Sequence, residues 1–429
     1  MNGGLSMVEM KSGYKMTEVG VIPEDWEVCE LRNHLVLLTD YDANGSFADM
    51  ASNVVTTTGN GYAWYVRATD LEQQSSLSEV KYVDEKSYRF LRKSTLYGGE
   101  VLLAKRGEIG KVYYFQMKTK RATLAPNLYL LKLKDTINSY FLFSLFKSTF
   151  GQNLLKSINA STSLGAIYKD DVKGLNILIP PFEEQASIAT ALSDVDSLIS
   201  ALTKKIEKKK AIKQGLMQQL LTGKKRLPGF CGDWIKKNVS SVSDIFRGGS
   251  PRPIENYIVK SGGVNWIKIG DVDSSAKYIF RTNEQIIESG IQYSRFVHSG
   301  DLLLSNSMSF GRPYILKTEG CIHDGWLVIQ NYDKYFDKEF LYYLLGSDEV
   351  LKQYKSLAAG SSVLNLNKDI LGKVVLYFPP SISEQTAIAN ILSDCDSEIA
   401  ALEEKRDKYK EIKQGMMQQL LTGKIRLIK

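Results

Sequence analysis

The sequence of 429 residues predicts an α+β fold in which two mixed α/β domains alternate with two long helices that pair as a coiled coil within one chain. A segment of 43 residues that begins at Gln185 recurs 200 positions later, from Gln385, with 28 of 43 residues identical. The blocks before these segments are instead rich in Tyr, Thr, Ser and short β-branched runs broken by Gly and Asn, which is typical of mixed strands and helices. The chain is therefore interpreted as a duplicated domain-plus-helix unit.

Double prolines mark the start of each repeated segment, at Pro180-Pro181 and Pro379-Pro380. Proline interrupts the element before it, and the acidic residues that follow suit a helix N-terminus. We therefore predict four segments: a first domain at 14–180, a first helix at 181–227, a second domain at 228–378 and a second helix at 379–429.

Apolar residues in each repeated segment recur at alternating steps of three and four, which is the pattern of a coiled-coil seam. A single helix with such a narrow apolar stripe must bury it, and the other copy is the most economical partner. The residues expected at this helix or subunit interface are Gln185, Ile188, Leu192, Ile199, Leu202, Gln385, Ile388, Leu392, Ile399 and Leu402.

Composition narrows the class of protein. The formal charge is +7, and 181–230 holds nine basic and five acidic residues, which is more than half of the excess. This balance is compatible with DNA binding without demonstrating it. The sequence contains no run near the ~18 apolar residues of a membrane span and no secretory signal, so we expect a cytoplasmic protein without a membrane partner. Four separated Cys and three scattered His predict no metal site.

Several motifs resemble those of the DNA-specificity (S) subunit of Type I restriction–modification systems. They are the helix openings PPFEEQASIATALSDVDSLI and PPSISEQTAIANILSDCDSEI, the endings KQGLMQQLLTGKKRLPGF and KQGMMQQLLTGKIRL, and the domain openings TEVGVIPEDWEV and RLPGFCGDW. The resemblance covers nearly the whole chain. It implies two target-recognition domains, separated by an antiparallel helix pair in a pseudo-two-fold arrangement, that each read one half of a bipartite, asymmetric double-stranded DNA site.

The same resemblance implies a multi-subunit complex for defence against foreign DNA. Two methyltransferase (modification) subunits would dock on the helices and methylate adenine N6, and motor-nuclease (restriction) subunits would complete the assembly. S-adenosylmethionine is expected on the methyltransferase, and no cofactor is expected on this chain.

The sequence offers no catalytic motif of its own. The run Ile179-Pro180-Pro181-Phe182 mimics the base-gripping loop of adenine methyltransferases, but Ile179 cannot accept the hydrogen bond from the adenine amino group. A phosphate-binding GxxxxGK[ST] loop does not occur in the sequence. We therefore expect a targeting subunit and not an enzyme.

Candidate DNA contacts are polar side chains on loops and strand ends, because Arg and Lys bind guanine, Asn binds adenine, and Ser or Thr binds either or a phosphate. In the second domain, 247–253 looks like the glycine-rich turn of the family, whereas the first domain has 38–42 at the equivalent place and is not expected to make the same contacts. The candidates are Thr57, Asn60, Tyr62, Arg67, Lys105, Arg106, Lys111, Ser163, Arg247, Ser250, Arg252, Lys268, Asn306, Ser307, Arg312 and Ser361.

Two questions stay open at the level of sequence. The lysine-rich face at 204–213 is interpreted as a solvated helix face, a DNA-binding surface or a contact to an acidic methyltransferase patch. The whole chain has an alternative interpretation as a coiled-coil adaptor with two protein- or glycan-binding globular domains, and a third as a self-contained enzyme.

Overall fold

The computed structural model consists of two compact units, each of which takes part of both long helices. Unit 1 is formed by 1–202 and 405–429, and unit 2 by 203–404. The structure describes residues 12–73, 75–107, 109–159, 165–273, 276–306, 309–359 and 365–427.

Eleven α-helices occur in the described residues. They are α1 (Phe47–Asn53), α2 (Ala68–Glu72), α3 (Glu85–Phe90), α4 (Ser139–Lys147), α5 (Thr149–Ser157), α6 (Lys169–Lys173), α7 (Phe182–Leu220), α8 (Lys338–Leu345), α9 (Asp348–Ala358), α10 (Lys368–Lys373) and α11 (Ile382–Leu420).

The strands of unit 1 form two main sheets, in the orders β10-β9-β12-β4 and β5-β7-β6-β11-β8, with the pairs β1-β2 and β13-β3 beside them. Their bounds are β1 (Tyr14–Thr17), β2 (Gly20–Pro23), β3 (Glu27–Glu30), β4 (Leu35–Asp40), β5 (Thr56–Thr58), β6 (Ala63–Val66), β7 (Lys81–Val83), β8 (Thr95–Leu96), β9 (Val101–Ala104), β10 (Val112–Tyr114), β11 (Ala122–Leu124), β12 (Leu128–Leu133) and β13 (Asn176–Ile179).

Unit 2 repeats this plan with the sheets β15-β24-β21-β22-β18 and β16-β19-β17-β23-β20 and the pair β14-β25. Its strands are β14 (Ile235–Asn238), β15 (Asp244–Arg247), β16 (Ile258–Val259), β17 (Val264–Ile267), β18 (Tyr278–Ile279), β19 (Glu284–Ile286), β20 (Arg295–Val297), β21 (Leu302–Ser305), β22 (Pro313–Leu316), β23 (Gly320–Ile322), β24 (Trp326–Gln330) and β25 (Val375–Phe378). The predicted α+β class with two mixed domains and two long helices is confirmed.

Each domain buries the start of one long helix in its main core. Ile188 and Leu192 of α7 are fully buried with the sheet and α4 of unit 1, and Ile388 and Leu392 of α11 take the same places in unit 2. Burial of an Ile or Leu side chain contributes about 1.5–3 kcal/mol, so each domain is firmly fixed to its helix. These four predicted interface residues thus contact the domain that precedes their helix.

The remaining predicted interface residues also lie inward. Gln185 and Gln385 are fully buried, and their Oε1 atoms accept a hydrogen bond at 2.9 Å from the backbone N–H of Asn138 and of Asp337, respectively. The other four are also turned inward: Leu202 and Ile399 are buried, and Ile199 and Leu402 are half-buried. These side chains therefore belong to contacts within the chain.

The two long helices run antiparallel where they pair. In unit 2, Lys209 contacts Glu398 at 2.7 Å, and Lys213, one turn later on α7, contacts Asp396, earlier on α11, at 2.5 Å. Lys413 makes the equivalent contact in unit 1, to Asp196 at 2.7 Å. Half of the lysine-rich face, namely Lys209, Lys210 and Lys213, is thus used in ion pairs to α11.

A tyrosine from each domain joins these helix ion pairs. In unit 1 the Tyr140 hydroxyl donates to Asp196 at 2.6 Å, and in unit 2 the Tyr343 hydroxyl donates to Asp396 at the same distance. Burial, followed by the neighbouring carboxylate, raises the pKa of both tyrosines, so they stay protonated donors. Each aspartate therefore connects a domain with both helices.

A buried glutamate at the start of each long helix binds an arginine that follows the end of the other. Arg426 contacts Glu184 at 2.6 Å in unit 1, and Arg226 contacts Glu384 at 2.6 Å in unit 2. Both carboxylates are at most 1% exposed and are held by the two nitrogens of a guanidinium, which is the geometry that stabilises a buried charge.

Among the described residues, none of the helices is long and apolar enough to cross a membrane.

Candidate nucleic-acid interface

Strand ends meet at one edge of the main sheet in unit 2 and bring several predicted DNA contacts together. β15 ends at Arg247, β21 ends at Ser305, and β24 starts at Trp326 after a turn at 323–325. Arg247 is paired with Leu327, and Ser305 with Trp326, so both strands flank β24. The edge is built from backbone pairing and is therefore a rigid base for the side chains on it.

Asp324, in the turn before β24, is the centre of this edge. Its backbone oxygen accepts hydrogen bonds from Nε of Arg247 at 3.0 Å and from Nδ2 of Asn306 at 2.9 Å. Its carboxylate accepts a hydrogen bond from Ser250 at 3.0 Å and lies 3.7 Å from a guanidinium nitrogen of Arg252. Four predicted DNA contacts therefore converge on one residue, and we name these five residues the Asp324 cluster.

His323 contacts the Asp324 cluster from the preceding position of the turn. Its Nδ1 accepts the N–H of Gly325 at 2.9 Å, so the proton of the neutral ring is on Nε2, which lies 2.9 Å from the Asp324 carboxylate. Burial lowers the pKa of His323, and Lys268 and the two arginines lower it further, against the opposing effect of Asp324. His323 is therefore a neutral donor that orients the carboxylate.

Two glycines allow the backbone of the predicted glycine-rich turn to approach this edge. A Cβ at Gly248 would lie 2.2 Å from the backbone oxygen of His323, and one at Gly249 would lie 2.5 Å from that of Tyr293. Either distance is too short for a side chain. The glycines thus bring Ser250 and Arg252 within reach of Asp324.

Unit 1 has a cluster of opposite chemistry at the equivalent edge. Asp40 ends β4 and is paired with Tyr129 of β12, as Arg247 is paired with Leu327 in unit 2. Its side chain is only 4% exposed, and it accepts hydrogen bonds from Lys105 at 2.9 Å and Lys169 at 2.7 Å. Asp42 adds a second carboxylate to Lys105. We name Asp40, Asp42, Lys105 and Lys169 the Asp40 cluster.

The other predicted contacts of unit 1 lie elsewhere or already have partners. Thr57, which donates to the backbone oxygen of Asn60 at 2.6 Å, belongs to the other sheet. Arg67 is paired with Asp70 at 2.5 Å, and Lys111 with Glu72 at 2.9 Å.

Two more of the predicted residues of unit 1 differ in how accessible they are. Tyr62 is half-buried, with the guanidinium of Arg121 4.3 Å above its ring. Arg106, in contrast, is exposed beside the Asp40 cluster.

The remaining predicted contacts of unit 2 lie beside the Asp324 cluster, near the long helices or outside the described residues. Lys268 follows β17, and His323 follows the neighbouring strand β23. The Lys268 ammonium forms an ion pair with Glu284 at 2.8 Å. Arg312 is half-buried, with its guanidinium 5.9 Å from the Tyr314 ring. The predicted contacts that lie outside the described residues are Ser163, Ser307 and Ser361.

Sequence reasoning missed the acidic residues that organise both edges. Asp324 and His323 stand in a short His-Asp-Gly run between two apolar strands, and Lys169 starts a later helix. The strand pairing places Asp40 at the position of Arg247, and Lys105 at the position of Asn306, so the two domains carry different charges at equivalent places.

The chain is similar to known proteins over nearly its whole length. The family model described as the Type I restriction modification DNA specificity domain matches twice, at 23–214 and 232–414. The chain is 28% identical over 436 residues to a protein of Methanocaldococcus jannaschii described as the putative type I restriction enzyme MjaX specificity subunit, and the match covers 97% of each chain. The MjaVIII specificity subunit of the same organism is 25% identical, over 95% of this chain and 94% of the relative.

Two solved structures share the fold. One is the S subunit of a Type I restriction–modification system from M. genitalium, with a TM-score of 0.60, 14% identity, and coverage of 92% of this chain and 96% of the other. The other comes from work on complex assembly and conformational transition of the type I R-M system, with a TM-score of 0.57, 17% identity, and coverage of 94% and 99%.

Proposed function

Because the chain belongs to the Type I restriction–modification DNA specificity family, as a specificity subunit with two target-recognition domains, we propose that each domain reads one half of a bipartite, asymmetric DNA site. The observation that carries this proposal is the pair of unlike clusters at equivalent strand ends. The Asp324 cluster offers two exposed arginines, whereas the Asp40 cluster offers two lysines with two carboxylates. The predicted contact Asn306 is only 2% exposed and is bonded to the backbone oxygen of Asp324, so its side chain supports the cluster and is not itself open to DNA. Unlike donors and acceptors at equivalent places suit two unlike half-sites.

The modest net charge is consistent with this role. Much of the basic excess lies in 181–230, and three lysines there form ion pairs within the chain. The recognition edges themselves hold arginines and lysines close to carboxylates. Such an interface selects a sequence and shares phosphate binding with its partners, since affinity for DNA backbone grows with the number of phosphates that are neutralised.

We propose that two methyltransferase subunits dock on the long helices, and that these partners hold S-adenosylmethionine and methylate adenine N6 on each strand. Two repeated features support docking. Ile212 and Ile412 are more than two fifths exposed on α7 and α11. At Gly215 and Gly415, one turn further on, an added Cβ meets nothing within 4 Å. The exposed part of each isoleucine is open to a partner, and an apolar residue beside a glycine allows another backbone to approach closely.

Motor-nuclease subunits would join this complex for restriction, in the cytoplasm where foreign DNA arrives. In this assignment the chain carries out no chemistry. Its contribution is to choose the sequence at which its partners act.

The test uses the full chain together with its cognate methyltransferase. The complex is incubated with a library of DNA duplexes that contain random sequence, and the methylated duplexes are sequenced. We expect a split site with two specified half-sites, a gap of fixed length, and one modified adenine on each strand. Methylation without such a site would contradict the proposal.

A coiled-coil adaptor is the competing assignment. It predicts that the chain binds a protein or glycan and that its affinity for DNA is weak and independent of sequence. Selection of duplexes by the full chain alone, at increasing salt, distinguishes the two. A sequence-specific fraction that survives at higher salt supports the specificity subunit.

A further inference from the structure

We propose that Arg247 reads a guanine in the half-site bound by unit 2, and that Asp324 is the positioning residue that aims it. This inference rests on the proposed function and specifies its chemistry. It names the base and the side chains at one place of the DNA site, on the basis of contacts within the Asp324 cluster.

The first step is the anchoring of Arg247. Its Nε donates to the backbone oxygen of Asp324 at 3.0 Å, and one terminal nitrogen lies 4.0 Å from the Asp324 carboxylate. A guanidinium held along one edge has little rotational freedom left, and its other terminal nitrogen is unengaged by these contacts. The side chain is nevertheless 52% exposed, so this free end is accessible from solvent.

The second step is the support of Asp324 itself. Ser250 donates to its carboxylate at 3.0 Å, and His323 Nε2 lies 2.9 Å from the same oxygen. Two donors on one oxygen fix the orientation of the carboxylate. Its second oxygen, Oδ2, faces the two arginines. The carboxylate therefore serves as a fixed support and not as a flexible surface charge.

The third step is the choice of base. Arginine has five donors in a planar fork, and guanine presents two adjacent acceptors, O6 and N7, in the major groove. Cytosine and adenine present a donor in this region, and thymine presents a methyl group beside a single acceptor. An arginine whose direction is fixed by an acidic neighbour is thus matched to guanine alone.

The equivalent position in unit 1 shows the contrast. Asp40, which replaces Arg247, is 4% exposed and accepts bonds from two lysines, so it offers no fork of donors. The guanine assignment therefore applies to the half-site of unit 2 and leaves the other half-site to different contacts.

The experiment compares variants of the full chain with cognate methyltransferase on the random duplex library. The wild type is expected to specify guanine at one position of one half-site. Arg247→Lys keeps the charge but lacks the fork, and we expect the preference for guanine at that position to fall by about 10- to 100-fold. Asp324→Asn keeps the backbone contact and removes the carboxylate, so a smaller loss at the same position is expected.

A control variant and two possible results separate a failure of this inference from a failure of the proposed function. Arg281→Lys, at an exposed arginine of the same domain, is the matched control and should leave every position unchanged. If both Arg247→Lys and Arg247→Ala weaken all sequences equally and keep the guanine, Arg247 contacts a phosphate and the inference is wrong, although the proposed function stands. If the wild type selects no split site, the proposed function itself fails. Circular dichroism of each variant verifies that unit 2 is folded.

Discussion

At the scale of single residues, Asp40 illustrates how a buried carboxylate is kept charged. Burial by itself raises its pKa, but the hydrogen bonds from Lys105 and Lys169 outweigh burial and lower the pKa below its usual value. A lowered pKa in the folded state means that the ionised form stabilises the fold. This contribution is present above the unfolded pKa of about 3.9 and is lost as the pH falls through the folded pKa.

We predict that Asp40→Asn makes the free energy of unfolding of unit 1 less dependent on pH in the acidic range. At pH 7 the variant should lose about 2 kcal/mol, because two lysines lose a charged acceptor. Between about pH 5 and pH 2 its free energy of unfolding should fall less steeply than that of the wild type. Urea unfolding across this range measures both effects.

The control for this prediction is Asp170→Asn, since that carboxylate is 92% exposed and forms a surface ion pair with Lys173. It should leave the profile unchanged. Equal slopes for wild type and Asp40→Asn would show that the Asp40 cluster does not stabilise the ionised form.

Sequence reasoning identified the basic residues of both clusters better than their partners. Arg247, Arg252 and Lys105 were all predicted, because arginine and lysine on loops point to DNA. Asp324 is 77 positions from Arg247, and its role depends on a turn that brings three strand ends together. Such contacts are set by tertiary pairing, which one sequence without its sheet topology does not show.

At the scale of elements, the long helices contain a glycine near the same place. Gly215 and Gly415 lie inside α7 and α11, where glycine costs about 1 kcal/mol relative to alanine. An added Cβ at either position meets nothing within 4 Å. We therefore predict that Gly215→Ala and Gly415→Ala each stabilise the chain by about 0.5–1 kcal/mol, as measured by denaturant unfolding.

A glycine in a shorter helix provides the contrast. At Gly151, in α5, an added Cβ would lie 2.1 Å from the backbone oxygen of Leu145, so Gly151→Ala should destabilise unit 1. If the methyltransferase docks near the helical glycines, a larger change such as Gly415→Leu should weaken assembly while the isolated chain stays folded. Unchanged assembly would remove this support for docking there.

The two long helices were predicted more accurately than the short strands of the domains. The helices predicted at 181–227 and 379–429 are observed at Phe182–Leu220 and Ile382–Leu420, since double prolines and a sustained seam define a helix locally. The short strands of the domains followed less clearly from the sequence. Many are only two to four residues long, and their positions are set by pairing with distant strands.

At the scale of the whole molecule, we predict that the length of the paired helices sets the gap between the half-sites. The test inserts seven residues after Ala201 in α7 and seven after Lys408 in α11, because the antiparallel ion pairs place these positions opposite each other. A heptad preserves the apolar seam and adds about 10 Å to each helix. The gap in the methylated site should grow by about 3 base pairs.

An insertion in α7 alone is the control, since it displaces Lys209 and Lys213 from their partners and should impair assembly without defining a new gap. A doubly extended chain that methylates the original site would contradict the prediction. The duplication itself was predicted from the repeat at Gln185 and Gln385. The division of both helices between the two units was not predicted, because the periodic pattern indicates each helix as one continuous element.

That division has a consequence for the order in which a ribosome delivers the parts. Unit 2 is one continuous stretch, 203–404, whereas unit 1 needs 405–427 in addition to its first 202 residues. Glu184 is translated 242 residues before its partner Arg426. Tyr14 is translated 409 residues before Gly423, whose backbone oxygen accepts its hydrogen bond. The later unit can therefore finish folding first, and the earlier one is completed only when the C-terminal half of α11 and the segment after it emerge.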